Sequence, residues 1–221
     1  MTDQQEDAGY DAYLLRYPDG SWLAQLADLP GAYATGATQA DAAARLGAAI
    51  PAYFVWLRQH DEYTPITHDA SHVIPREVAE SSSGPIRGAF FSGDAMPVTE
   101  EDLDWWLAAL DWAYGDLVAR AQPALRSPQH TLLDAVAKMQ LDVVARATGA
   151  QITAPAPATP DSLAMLQSAR QMALAAFRRT NAQQRAAVRE DAGERWSVRR
   201  GLRESALLVR RATDDLARIQ A

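Results

Sequence analysis

The last stretch of the chain, residues 195–221, constrains the fold more than any other. Apolar and small residues recur in it at three- and four-residue steps, the spacing that places them on one face of an α-helix: Val198, Leu202, Ser205, Val209, Ala212 and Leu216. A helix with one such face has to bury it against neighbouring elements. The arginines between them are expected at the flanks, in water: Arg199, Arg203, Arg210 and Arg211. The stretch therefore predicts the final helix of a multi-helix domain.

Three further helices are predicted before it, each from a start or stop signal. The first runs from the cap Thr99, with acidic residues in its first turn, to about residue 122. The second opens at Ser127-Pro128 and ends at Gly149, a residue suited to a left-handed helix end. The third opens at residues 159–161. The Ala/Pro segment 154–160 predicts a long crossover between the second and third helices of a four-helix bundle.

The first third of the chain has a different pattern, short runs of alternating or aromatic residues between turns. Strands are expected over 10–17, 21–28, 32–36 and 71–80, and a helix over 38–59 that Pro51 kinks or restarts. This predicts a small β-β-β-α-β domain and an α+β chain. The polar break at 80–85 sets the expected division: a domain over 1–84, a docked connector over 85–98 and the bundle over 99–221.

Composition excludes several classes of function. The chain has no cysteine, which excludes disulfides, thiolate nucleophiles and Cys-ligated zinc. A net charge of -7 argues against nucleic acid as a partner, because phosphate binding needs clustered basic side chains. No apolar run approaches the length of about 20 residues that spans a bilayer. The N-terminus is acidic and polar, unlike a secretory signal, so a cytoplasmic protein without a membrane role is expected.

Several motifs in the first domain occur together in one known family. They are Tyr13-x-x-x-Tyr17, Asp19-Gly20-x-Trp22, Asp28-Leu29-Pro30-Gly31 and Gly36-x-Thr38, followed by an alanine-rich helix. This combination resembles the HicB-like antitoxin-type domain. The resemblance implies a partial ribonuclease-H-like fold that binds other proteins. No acidic cluster falls on the predicted strands, so nuclease chemistry is not expected. The domain is expected either to complete the fold or mediate dimers, or to bind a specific protein partner.

The helical part also resembles a known family. Its final helix opens with Trp196-Ser197-Val198-Arg199-Arg200-x-Leu202-Arg203, and the connector carries Phe90-Phe91-x-x-Asp94-x-x-Pro97. Both are similar to the DinB/YfiT-like four-helix bundle family, and the pairing with a HicB-like domain is similar to a recurring two-part bacterial arrangement. Active members of that family carry three histidines that bind a divalent metal, and several are thiol-dependent transferases or isomerases.

The positions that correspond to those histidines hold other residues. Counted from Trp196, the two on the last helix are Leu208 and Ala212, and the one on the second helix is Asp134. Leucine and alanine have no lone pair for a metal, and a catalytic site needs about three protein ligands. No metal or other cofactor is therefore expected. The leading prediction is a degenerate, non-catalytic DinB-like protein with a binding or assembly role.

A rival hypothesis keeps an enzyme of this class, a metal-dependent transferase or hydrolase with a non-standard site. Its candidate polar residues are His130, Asp134, Glu204 and Ser205, with a histidine from the linker after the first helix. Glu204 and Asp134 form a carboxylate pair only if both face the bundle interior, and water is the expected environment of at least one of them. The linker histidines His68 and His72 lie in a predicted loop, where their spacing does not indicate a metal pair.

Two tryptophans on the first bundle helix, Trp105 and Trp112, lie off the line of its main apolar stripe. They are expected to pack against a second helix, to lie in an interdomain or dimer contact, or to stack on a ligand. A homodimer is the favoured state. A third hypothesis assigns the activity to the HicB-like domain as a partner-binding, antitoxin-type module. The sequence indicates neither a substrate nor a named partner.

Overall fold

The computed structural model describes residues 9–62, 72–81, 88–121, 128–152 and 161–220. The chain divides into two compact units, residues 1–91 and 92–221. The first holds a small sheet and one long helix, and the second is mostly helical. This confirms the α+β class and the order in which a four-stranded sheet is followed by helices. The predicted crossover and His68 lie outside the described residues.

The sheet of the first unit has four strands in the order β3-β2-β1-β4. They are β1 (Tyr10–Arg16), β2 (Trp22–Leu26), β3 (Tyr33–Gly36) and β4 (Val73–Glu80). The three consecutive strands pair antiparallel, and β4 returns beside β1 in parallel. Gly20, at φ 85°, closes the first hairpin, a conformation that favours glycine. The strands predicted from alternation and turn residues are therefore present, with ends that differ by a few residues.

Helix α1 (Gln39–Gln59) covers one part of this sheet. Its cap is Thr38, whose hydroxyl accepts a hydrogen bond from the backbone N–H of Asp41 at 3.1 Å. The buried residues Leu46, Ile50 and Leu57 recur on one face. The prediction that Pro51 restarts the helix is wrong, because a single helix continues through it.

The connector contributes to the core of the first unit. Phe91 is fully buried, and its ring stacks on that of Tyr13 with centroids 4.4 Å apart and planes at 5°. The boundary between the two compact units falls directly after this residue. The aromatic pair of the connector motif therefore includes one residue that packs on strand β1.

Four long helices build the second unit: α2 (Glu100–Ala121), α3 (Pro128–Thr148), α4 (Ser162–Arg178) and α6 (Val198–Gln220). A 3-10 turn, Ser92–Ala95, precedes them. Helix α4 begins after Asp161, whose carboxylate accepts from the N–H groups of Leu163 and Ala164. Helix α6 packs against α2 and α3, and α4 packs against the same two helices. No helix within the described ranges combines the length and the apolar character that crossing a bilayer requires.

Two short elements between α4 and α6 were not expected, since the sequence there predicts only a break. Helix α5 (Ala182–Ala186) begins at Asn181, and a hairpin of β5 (Arg189–Asp191) and β6 (Glu194–Trp196) follows. Strands of three residues are too short to show an alternating pattern. The hairpin turn places both Ala192 and Gly193 at positive φ, as a two-residue I′ turn requires.

Candidate functional site around the last helix

The start of α6 is held by a serine that bonds in two directions. The hydroxyl of Ser197 accepts from the backbone N–H of Arg200 at 3.0 Å, which caps the helix. The same hydroxyl donates to the backbone carbonyl of Asp94 at 2.6 Å. Ser197 is itself buried. The helix start is therefore tied to the turn at 92–95.

A buried ion pair joins the same two elements. Arg203 donates from Nε to Oδ1 of Asp94 at 2.9 Å and from Nη2 to Oδ2 at 2.6 Å. The two side chains are 3% and 1% exposed. Two parallel hydrogen bonds between a guanidinium and a carboxylate are the strongest form of this contact and fix its geometry. The prediction that Arg203 lies at a solvated flank is wrong, because Asp94 provides a buried partner.

A second buried pair lies one turn away. Arg200 donates from Nε to Oε1 of Glu204 at 2.6 Å, and Arg203 Nη2 lies 4.0 Å from the same oxygen. The Arg200 guanidinium also covers the ring of Trp196 at 3.9 Å from its centroid. We call the five residues Asp94, Trp196, Arg200, Arg203 and Glu204 the closed ion-pair cluster. Its two positive and two negative charges balance.

Glu204 lies at the centre of this cluster and is the residue whose titration changes. Burial raises the pKa of its carboxyl above the usual range, while the charges of Arg200 and Arg203 oppose that rise. Sequence reasoning named Glu204 as a candidate and expected water beside it or Asp134. The structure buries Glu204 and leaves Asp134 half-buried on α3.

The position of Leu208 and Ala212 follows from how α6 packs on α3. A β-carbon added at Gly201 would overlap the Cβ of Ala147, so these two residues lie directly against each other. Helix α3 ends where α6 begins, since Arg146 near the end of α3 lies over the Trp196 ring, 5.7 Å from its centroid. The two helices are therefore antiparallel, and positions equally far from this contact lie at the same level.

Counted from that contact, Leu208 lies level with Gln140, and Ala212 lies level with Val136. Leu208 and Gln140 each lie seven residues from the contact, and Ala212 and Val136 each lie eleven residues from it. Equal numbers of residues span equal lengths on the two helices, at about 1.5 Å per residue. Gln140, Val136 and Ala212 are all buried, at 0%, 1% and 2% exposure. None of the four side chains at these two levels is a carboxylate or an imidazole. The described residues contain no group of three or more His, Cys, Asp or Glu side chains arranged to hold a metal ion.

The remaining candidates are not members of the closed ion-pair cluster. His130, near the start of α3, has Nδ1 3.2 Å from the hydroxyl of Ser162 at the start of α4. Ser205 follows Glu204 on α6 and is fully buried. Trp105 and Trp112 are half-buried on α2 and contact each other edge to face, with centroids 6.0 Å apart. The structure thus joins Glu204 to arginines and His130 to a serine.

Three important residues were not candidates in the sequence. Asp94 stood in the connector motif, but its partner Arg203 is 109 positions away. Tyr114 and Gln140 lie on the buried faces of α2 and α3. The signal in the sequence that could have identified them is a polar atom on an otherwise apolar helix face.

Comparison of the chain with family models, with curated proteins and with solved structures gives no match. The DinB-like and HicB-like resemblances therefore rest on the motifs of the sequence.

Proposed function

We propose that this chain is a two-part binding or assembly protein, with a HicB-like module and a DinB-like bundle in which the family's metal site is lost. One observation carries the proposal. Of the three positions at which the resemblance implies metal ligands, Leu208 and Ala212 carry no ligand atom, and Leu208 and Asp134 are both only half-buried. Divalent zinc or nickel in proteins takes imidazole, carboxylate or thiolate ligands.

The nearest buried charged side chain on α6 belongs to a different arrangement. Glu204 is one turn before Leu208 and already accepts from Arg200. A metal bound by Glu204 would compete with a buried arginine, and breaking such a pair is costly. The cluster is therefore suited to holding α6 in place.

Metal analysis of the untagged full chain tests this proposal. We expect well below one equivalent of zinc, nickel or manganese per chain, and no saturable heat when zinc is titrated into the chelator-treated protein. His130→Ala is the informative variant, and His60→Ala, a histidine of the other unit, is its control. One equivalent of metal that His130→Ala abolishes and His60→Ala retains would establish the enzyme hypothesis instead.

The assembly part of the proposal concerns Trp105 and Trp112. Tryptophans with partly exposed rings are typical of the centres of protein interfaces, and this edge-to-face pair supports a homodimer. Sedimentation velocity of the full chain is expected to show a dimer that the double variant Trp105→Ala/Trp112→Ala converts to monomer. Trp22→Ala, on β2, serves as control. A wild-type chain that stays monomeric at every concentration would contradict the proposed homodimer. Partner binding through the first unit stays a further proposal.

A further inference from the structure

The middle of the helical unit carries polar side chains that the closed ion-pair cluster does not use. Gln140 on α3, Tyr114 on α2 and Ser205 on α6 are each 0% exposed. Both amide atoms of Gln140, the Tyr114 hydroxyl and the Ser205 hydroxyl have no hydrogen-bond partner within the part of the chain that the structure describes. We call these three residues the middle polar layer.

Gln140 and Ser205 lie within one helical turn of the same height in the bundle, and Tyr114 lies within about two turns of Gln140. Gln140 is level with Leu208, as the contact between Gly201 and Ala147 shows. Helices α2 and α6 run in parallel, because Arg199 bonds Asp102 near both starts and Gln220 bonds Arg120 near both ends. Arg210 lies 3.9 Å from Asp116 in this pair. Together these three contacts place Tyr114 between the levels of Leu208 and Asp214, a range of about 9 Å along the helix.

Ser205 is three residues before Leu208, which is less than one helical turn. The neighbouring interior positions hold small side chains: Ala137, Ala173 and Ala212, all 2% exposed or less. The starts of α3 and α4 are joined by the contact between His130 and Ser162, which are 32 positions apart. The same offset places Gln140 level with about residue 172, so Ala173 lies beside it.

A buried polar atom without a partner destabilises a protein by about 1–3 kcal/mol, and native proteins keep few of them. Four such atoms in this part of the interior therefore indicate a missing partner. An amide offers one donor and one acceptor side, and a hydroxyl offers both. The buried charges of α6 within the described ranges are paired, Arg200 with Glu204 and Arg203 with Asp94, which leaves no buried charge on this helix to balance an ion. The geometry points to a site in the middle polar layer for a small uncharged guest that donates and accepts hydrogen bonds.

Water and a small organic amide or alcohol share this chemistry, and the site is independent of the assembly role proposed above. A crystal structure of the full chain, grown without organic cryoprotectant, is the first test. We expect density for a guest hydrogen-bonded to the Gln140 amide and to Tyr114 or Ser205. Direct hydrogen bonds among these three side chains, with no guest between them, would overturn the inference.

Two measurements in solution distinguish a bound water from a bound organic molecule. Oxygen-17 relaxation dispersion is expected to show at least one more long-lived internal water in the wild type than in Gln140→Leu. If the guest is organic, native mass spectrometry shows added mass on the wild-type chain that denaturation releases and Gln140→Leu lacks. Either result supports the site, and the absence of both overturns it. Tyr114→Phe, which keeps the ring and removes one hydroxyl, repeats the comparison if Gln140→Leu does not fold.

Discussion

The closed ion-pair cluster and the middle polar layer meet on α6, where Ser205 of the layer directly follows Glu204 of the cluster, and they differ in whether charges pair. In the cluster, Arg203 and Asp94 are joined by two hydrogen bonds and Arg200 bonds Glu204, although Glu204 Oε2 and Trp196 Nε1 have no hydrogen-bond partner among the described residues. In the layer, the Gln140 amide and the Tyr114 and Ser205 hydroxyls have no partner among the described residues.

This difference separates two roles that buried polar groups serve. Charges that neutralise one another fix the position of one element against another, here the turn at 92–95 against α6. Neutral groups without partners leave capacity for something else to bind. We therefore assign a binding function of the helical unit to the middle polar layer, and the fixed position of α6 to the closed ion-pair cluster.

The strongest way to break this comparison is to remove one charge of the cluster. Arg203→Met removes the guanidinium that donates two hydrogen bonds to the buried carboxylate of Asp94, and loss of one partner of a buried pair costs about 3–5 kcal/mol. Urea denaturation should show a loss of that size in the free energy of unfolding. Arg218→Met on the same helix is the control, since that arginine is 71% exposed beside Asp215 and should change stability by less than about 0.5 kcal/mol. Equally small losses of unfolding free energy in the two variants would show that the cluster does not stabilise the fold.

A second test concerns the contact that sets which residues share a level. Gly201→Ala places a methyl group against Ala147, and overpacking of this kind costs about 1–3 kcal/mol. Gly115→Ala on α2 is the matched variant, because an added β-carbon there meets nothing within 4 Å. It should stabilise by about 0.5–1 kcal/mol. If thermal unfolding shows that both variants change the stability in the same direction, Gly201 does not pack against Ala147 and the register between α3 and α6 is different.

The hairpin that carries Trp196 offers a smaller effect. Ala192 holds φ 50°, a left-handed conformation that costs a residue with a β-carbon about 1 kcal/mol. Ala192→Gly should raise the free energy of unfolding by roughly that amount, and Gly193→Ala, at φ 80°, should lower it. A destabilised Ala192→Gly would mean that the turn has another geometry in solution.

The pH dependence of stability gives the smallest signal and concerns Glu204. Its folded-state pKa is raised above the ordinary 4.5, so the folded chain binds more protons than the unfolded chain between that value and the raised one. Stability should fall as pH rises through this window and level off above it. Glu204→Gln should flatten the fall. Asp19 and Asp41, whose pKa values hydrogen bonds lower, act below pH 3.8 and with the opposite sign.

Local signals in the sequence predict much of this fold. Thr38 and Asp161 mark helix starts through short-range hydrogen bonds, and Gly20 marks a turn through its own backbone freedom. Each of these depends on residues within a few positions. The burial of Arg203 depends on Asp94, far away in the chain, and amphipathic patterning places an arginine in water unless such a partner is known.

The candidate site was predicted only in part for the same reason. Glu204 and Ser205 were named, but Arg203, which lies beside Glu204 and is buried, was assigned to solvent. Which polar groups lie close together depends on the register between helices, and the contact between Gly201 and Ala147 sets that register for α3 and α6.

A double-mutant cycle on Asp94 and Arg203 bears most closely on the idea that the cluster is a closed structural unit. Urea denaturation of Asp94→Ala, Arg203→Met and the double variant gives the coupling energy between the two side chains. We expect the double variant to lose at least about 2 kcal/mol less than the sum of the single losses, since each single change leaves the other charge buried without this partner. Losses that add within about 0.5 kcal/mol would show that the two side chains do not depend on each other.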